Sequence, residues 1–246
     1  MKVRLDILLV ERGLAESREK AQRMIRAGLV HTSGELLDKP GRTFDAEIPL
    51  TVKGSECPYV SRGGLKLAGA LGTFGVDPAG VVALDIGAST GGFTDCLLQR
   101  GAVHVYAIDV GRGQLHNRLL NDPRVTSRER THLDELQPID FTAPPTLAVA
   151  DLSFISLRRA FPVLKRVLAT GGQAVLLVKP QFEVGRENLP RGGVVTDRAQ
   201  QDGVLKKLAE EAAAQGFEVK GHCESPILGG DGNREFFLWL ALPGRS

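Results

Sequence analysis

Apolar positions recur along this chain with two different periods, and the change of period divides it. In the first sixty residues the spacing is helical. Leu5, Leu8, Leu9 and Val10 fall on one side of R-L-D-I-L-L-V-E-R-G, and Gly13 can stop that helix. Ser17 then caps a second helix that ends at Gly28, with Ala21, Met24 and Ile25 inward and Arg18, Lys20, Arg23 and Arg26 outward. The pair Ser33-Gly34 reads as a hairpin turn. The pattern predicts a small α+β unit of two short helices followed by a small sheet.

From Val81 the pattern becomes strand and helix in alternation. V-V-A-L-D-I-G is an unbroken apolar run, as in a strand buried on both faces. Further strands are read at V-H-V-Y-A-I-D, R-V-T-S-R, T-L-A-V-A-D, G-G-Q-A-V-L-L-V-K, F-E-V-K-G-H-C-E and R-E-F-F-L-W-L-A-L. Helices are read at T-G-G-F-T-D-C-L-L-Q-R, I-S-L-R-R-A-F-P-V-L-K-R-V-L-A and R-A-Q-Q-D-G-V-L-K-K-L-A-E-E-A-A-A-Q. This order predicts an α/β, doubly wound, Rossmann-like unit on a seven-stranded, mostly parallel sheet.

Composition narrows the classes. The 246 residues are 42% hydrophobic and 24% charged, so a folded core is expected and wholesale disorder is not. The net charge is only +2, so a nucleic-acid surface has to be local. Residues 1–30 hold such a surplus, seven Lys/Arg against four Asp/Glu. Three cysteines without C-x-x-C spacing argue against a disulfide framework or a structural metal site. The apolar run F-F-L-W-L-A-L is far short of a membrane span, and no signal-peptide core opens the chain, so a cytoplasmic protein without membrane contact is expected.

Candidate chemistry gathers at predicted strand ends. D-I-G-A-S-T-G-G-F, Asp85 to Phe93, places glycines at a strand-to-helix turn, where a ligand can approach the backbone. Asp109 ends the next strand, 24 residues beyond Asp85, where an acid can hold a ribose diol. The spacing of Gly87, Gly91 and Gly92 departs from the dinucleotide fingerprint, and Asp85 could pair a cationic amino-acid group, which favours S-adenosylmethionine. Asp151 and Lys179 end later strands, Glu235 enters the last one, and Lys66 lies ahead of the first. Each alone reads as a surface charge, but together they set two lysines and two carboxylates around one crevice. That set suits ribose 2′-O-methylation. The hydroxyl must lose a proton, and a lysine can accept it only when neutral, against a reference pKa of about 10.4 that a second cation lowers.

The first segment resembles the S4 RNA-binding domain, through R-L-D-x-x-L-V-x-x-G-L-A-x-S-R-x-x-A-x-x-x-I-x-x-G-x-V and the later K-P. The resemblance implies RNA docking through the second helix, with Arg4, Arg18, Lys20, Arg23 and Arg26 as its candidate contacts. S-R-G-G-L-K, L-D-I-G-A-S-T-G-G-F-T-D, V-G-R-G-Q-L, A-D-L-S-F-I-S-L, V-K-P-Q-F-E-V-G and N-R-E-F-F-L-W are similar to the TlyA/FtsJ-like rRNA methyltransferases, some of which carry a haemolysin label. That resemblance covers essentially the whole chain. It implies a class I methyltransferase acting on cytidine 2′-oxygens of ribosomal RNA, with rRNA or a ribosomal subunit as partner and a monomer as the favoured state. It implies a catalytic set Lys66, Asp151, Lys179 and Glu235. Cofactor contacts would come from Asp85, Gly87, Ser89, Gly91, Gly92, Phe93 and Asp109, and on the adenine side from Glu129 and Thr131. The expected organisation is residues 1–60 as the S4-like domain, a linker at about 57–62, and 63–246 as the methyltransferase.

In two respects the match needs comment. Cys57-Pro58-Tyr59-Val60 stands where well-studied members carry Arg-x-Trp-Val, which puts linker-dependent coupling of RNA docking to cofactor binding in doubt. The chain also opens directly at the S4 helix and closes after the last strand, like the shorter family type associated with large-subunit modification. Rival readings are a membrane-active haemolysin, a non-catalytic RNA-binding module, and an α/β-hydrolase using Ser89, Asp151 and His222 in G-x-S-x-G order.

Overall fold

The computed structural model describes residues 2–52, 57–229 and 232–244, with residue 186 by its backbone alone. Residues 53–56, just ahead of the expected linker, lie outside the described residues. The chain divides into two compact units, Met1–Pro58 and Tyr59–Ser246.

In the first unit, β1 (Lys2–Arg4) leads directly into α1 (Leu5–Glu11), and α2 (Arg18–Arg26) follows. Ser17 caps α2 as expected, accepting the Lys20 amide at 3.1 Å. Strands β2 (Val30–Thr32) and β3 (Glu35–Leu36) flank a tight turn with Ser33 at φ 45° and Gly34 at φ 90°. β4 (Thr43–Asp45) pairs with β1, and β5 (Thr51–Val52) pairs with β2. The strand β1 was hidden from the pattern because Lys2 to Arg4 is too short to show a period. Leu5, Leu9, Ala21, Met24 and Ile25 form the core with Val30 and Leu37.

Beneath that core entrance lies a fully buried carboxylate, Asp6. It accepts from Arg4 Nε at 3.0 Å, Arg18 Nε at 2.9 Å and Gln22 Nε2 at 2.7 Å, tying β1, α1 and α2 together. The Arg4 guanidinium and its companions hold this carboxyl well below the usual carboxylate range.

The second unit begins with α3 (Gly63–Phe74), a helix that the sequence pattern did not predict. Its glycines serve close packing. A Cβ on Gly64 would overlap the Tyr59 ring, so only glycine lets the helix start there. Then come β6 (Val82–Ile86), α4 (Gly92–Gln99), β7 (His104–Ile108), α5 (Asn117–Leu120), β8 (Val125–Arg128) and β9 (Leu147–Ala150). α6 (Ala160–Val167), β10 (Gln173–Val178), α7 (Pro180–Glu183), α8 (Arg198–Ala214), β11 (Glu218–Glu224) and β12 (Phe236–Ala241) complete it. The single helix expected over 155–169 is instead a short 3-10 turn, Leu157–Arg159, running into α6.

One seven-stranded sheet has the order β11-β12-β10-β9-β6-β7-β8, parallel except for β12, which is antiparallel to both neighbours. Alternate residues bury opposite faces. Leu84, Ile86, Ala148, Ala150, Leu176 and Val178 pack with α6 and α8, while Ala83, Val149, Val175 and Leu177 pack with α3 and α4. Burial on both sides explains the unbroken apolar runs. From β6 the chain winds one way through β7 and β8, and from β9 the other way, so the β6–β9 junction is the topological switch point. No described helix is long and apolar enough to cross a membrane.

Replacing Asp6 with Asn is expected to destabilise the first unit by about 1–3 kcal/mol, read as faster amide hydrogen exchange in α1 and α2 of the full chain near neutral pH. Because the folded carboxyl is more acidic than the unfolded one, the difference should narrow as pH falls below about 4. Unchanged protection in the variant would contradict this role.

Candidate active site

Strand register collects the expected residues along one edge of the sheet. Ile86 pairs with Ile108 on one side and Ala150 on the other, Leu176 pairs with Ala150, and Val178 pairs with Phe236. Gly87, Asp109, Asp151, Lys179 and Glu235 therefore all stand at the carboxyl ends of β6, β7, β9 and β10 and the start of β12. The switch point runs between Gly87 and Asp151, whose backbones touch so closely that a Cβ on Gly87 would lie 2.5 Å from the Asp151 carbonyl oxygen. At φ 82° Gly87 also has a backbone that favours glycine. Ser89, at φ 47°, follows in the same turn, and Gly91 precedes α4.

The four charged residues form two lysine–carboxylate pairs. Lys66 Nζ lies 2.5 Å from Glu235 Oε2, joining α3 to the start of β12, and both side chains are buried, 11% and 3% exposed. Lys179 Nζ lies 2.5 Å from Asp151 Oδ1 and donates to Ser153 Oγ at 2.8 Å. A cavity of about 240 Å³ opens at this edge, and Lys66, Asp151, Gly87, Ser89, Gly92 and Phe93 line it. Each cation thus has a carboxylate partner, and one member of each pair faces the same space.

Asp85 is placed differently. Its carboxylate is wholly buried beneath the turn and is not part of the cavity wall. Thr94 Oγ1 donates to Oδ2 at 2.6 Å, while Oδ1 has no hydrogen-bond partner among the described residues. Burial pushes this carboxyl up to about 7, against the lowering effect of Thr94.

Asp109 and Glu129 stitch loops together. Asp109 accepts from the Ser89 and Gly111 amides, each at 2.7 Å, so it links the glycine turn to the V-G-R-G-Q-L segment. Glu129 Oε1 accepts from Gly113 N at 2.6 Å and Gln114 N at 3.3 Å, and Thr131 Oγ1 donates to the Glu129 carbonyl at 3.2 Å. The chemistry of the set fits S-adenosylmethionine: a glycine turn without a phosphate cradle, and an acid at the end of the second strand for a ribose.

The hydrolase arrangement is not formed. Asp151 is engaged by Lys179. His222 pairs with Leu238 on β11, separated from β6 by β12, β10 and β9, which puts the two strands about 19 Å apart at the usual strand spacing. A histidine at that distance cannot take a proton from Ser89.

Several residues at the site were missed from sequence. Arg62 lines the cavity and donates to the Leu228 carbonyl at 3.2 Å. Phe154, two residues after Leu152, is 86% exposed and left-handed at φ 67°, with its ring 5.2 Å from that of Phe182. The available signal was an aromatic three residues after Asp151 and Lys179, in D-L-S-F and K-P-Q-F.

In the first unit, the five expected RNA contacts divide by their partners. Arg4 and Arg18 are committed to Asp6, although 42% and 55% exposed. Lys20 pairs with Glu16 at 3.2 Å and Arg23 with Glu19 at 3.4 Å, both at the surface of α2. Arg26 has no side-chain partner among the described residues.

A carboxyl raised on folding binds an extra proton between its unfolded value and about 7, so its contribution to stability falls as pH rises through that window. Asp85→Asn retains an acceptor for Thr94 and removes the titration. The melting temperature of this variant, relative to the unsubstituted chain, is expected to rise from about pH 4 to about pH 7 and to level off above that. A difference that does not change with pH would contradict the burial of an ionisable Asp85.

Comparison with known proteins agrees with this geometry. The model of FtsJ-like methyltransferases matches residues 59–242, and that of the S4 domain matches residues 3–47. A Bacillus subtilis relative named YqxC is 53% identical over 246 residues, covering 100% of this chain and 88% of its own. The 16S/23S rRNA (cytidine-2'-O)-methyltransferase TlyA of Mycobacterium tuberculosis is 46% identical over 240 residues, covering 97% of this chain and 90% of its own. A solved structure from Streptococcus thermophilus, provisionally named a hemolysin, superposes with a TM-score of 0.78 at 46% identity, covering 100% of this chain and 91% of its own. With its S4 domain ahead of the switch-point cavity and the two lysine–carboxylate pairs beside it, this chain belongs to the FtsJ-like methyltransferase family.

Proposed function

We propose that this enzyme transfers the methyl group of S-adenosylmethionine to the ribose 2′-oxygen of a cytidine in ribosomal RNA, with the large subunit as the favoured substrate and the cytoplasm as the place of action. The observation that carries the reading is the pair of lysine–carboxylate contacts, Lys66–Glu235 and Lys179–Asp151, beside a glycine turn at the switch point. Residues 1–60 dock the RNA and residues 63–246 carry out the transfer.

When bound, S-adenosylmethionine supplies a methyl group activated by a positive sulfonium. Gly87, Ser89, Gly91, Gly92 and Phe93 shape its seat, Asp85 supports the turn from below, and Asp109 takes the ribose side with Glu129 and Thr131 holding the adenine side. Lys66, Asp151, Lys179 and Glu235 surround the incoming hydroxyl. One Nζ would take the hydroxyl proton as the methyl carbon leaves sulfur and bonds to the ribose oxygen, with the thioether S-adenosylhomocysteine as the leaving group, and the carboxylates would orient both amines and the ribose. The exposed Phe154 ring, backed by Phe182, offers a stacking face for a base turned out of its helix.

The direct test incubates the chain with methyl-labelled cofactor and isolated ribosomal subunits. Label is expected in RNA, and Lys66→Ala and Lys179→Ala should each lower turnover by about 10²- to 10⁴-fold while cofactor affinity changes little. Label in protein, or undiminished turnover in the Lys179 variant, would overturn the reading. On the docking side, charge reversal at Arg23 and Arg26, which leaves the Asp6 cluster intact, should weaken RNA binding and flatten its salt dependence without altering cofactor affinity. Unchanged RNA affinity would remove α2 from the interface.

A further inference from the structure

Glu183 has no part in the chemistry described so far, yet its half-buried carboxylate lies near the site, and partial burial raises its carboxyl against the lowering effect of its donors. It sits on α7, four residues beyond Lys179. Its two oxygens accept from the Ser156 hydroxyl at 2.7 Å and the Leu157 amide at 2.6 Å. Ser156 and Leu157 end the segment that begins at Asp151 and open the turn that leads into α6.

The Asp151–Leu157 and Lys179–Glu183 segments are therefore joined at three levels. Lys179 reaches Asp151 and Ser153 at the cavity, Phe182 meets Phe154 in the middle, and Glu183 holds Ser156 and Leu157 at the far end. The first level contains the reacting groups, and its lysine has to exchange a proton while its geometry is kept. The second level is a ring contact at the surface. The third is a two-point bond made by a half-buried carboxylate, and it also anchors the chain just after Phe154, whose φ of 67° is costly for a residue with a side chain.

We propose that Glu183 is a positioning residue that fixes the Asp151 segment against the Lys179 segment, so that the ribose hydroxyl meets the lysine and carboxylate in reactive register. This rests on the methyl-transfer reading above. A cap serving only the Leu157–Arg159 turn would influence stability and leave turnover alone. Misplacing a reacting group by about 1 Å can cost about 10²-fold in rate.

The experiment compares Glu183→Ala and Glu183→Gln in the full chain, using labelled S-adenosylmethionine and isolated ribosomal subunits. Glutamine can still accept from the Leu157 amide and donate to Ser156 Oγ. Glu183→Ala is expected to lower kcat by about 10- to 100-fold, with KM for RNA and the calorimetric Kd for S-adenosylmethionine within a few-fold of the unsubstituted chain. Glu183→Gln should recover most of kcat. If Glu183→Ala does not fold, Ser156→Ala, which removes one of the two bonds, should still lower kcat at constant cofactor Kd, and unchanged kcat there would overturn the proposal. A Glu183→Ala enzyme with full turnover, a glutamine variant as impaired as the alanine one, or a loss of kcat matched by loss of cofactor affinity would each overturn it as well. Absence of RNA methylation by the unsubstituted chain would instead overturn the methyl-transfer reading itself.

Discussion

The contact between Lys66 and Glu235 spans 169 residues of sequence and joins the first helix of the catalytic unit to its last strand. Everything at the cavity depends on this closure. Removing two charges from water is costly, and a buried pair of this kind adds little net stability, whereas losing one partner costs about 3–5 kcal/mol. What the pair contributes is placement. It brings α3, which carries a cavity-lining lysine, to the sheet edge where the parallel strands end. The Lys179–Asp151 pair does the same across β10 and β9.

Parallel register supplies the rest. Once Ile86 is beside Ala150 and Ile108, the residues that follow each strand emerge at one level, so chemistry scattered from Asp85 to Glu235 becomes local. Glycine at 87 lets two backbones meet at the switch point. The loops beyond are then ordered by acids. Asp109, Glu129 and Glu183 each accept backbone amides, so carboxylates organise the rim.

Much of this was legible in the sequence, for identifiable reasons. The strands buried on both faces wrote themselves as apolar runs, and the turn from Asp85 to Phe93 kept its glycines where the backbone requires them. The second helix announced its start through Ser17. Helix α3 was not legible, because glycines that allow contact with Tyr59 and Pro226 look like loop residues when the partners are unknown. Asp6 carried no signal, and Arg4 and Arg18 read as candidate RNA contacts, because a cluster made across three elements has no local signature. Glu183 was hidden in the same way. His222 shows the converse error: its order along the chain fitted a hydrolase, but the sheet order separates it from Ser89 by three strands.

The central claim is that the lysine–carboxylate pairs act on a ribose hydroxyl. The most direct measurement digests the methylated ribosomal RNA completely to nucleosides and identifies the modified one by mass spectrometry. The account predicts 2′-O-methylcytidine, with the added mass on the sugar fragment. A methyl group on the base fragment would contradict it.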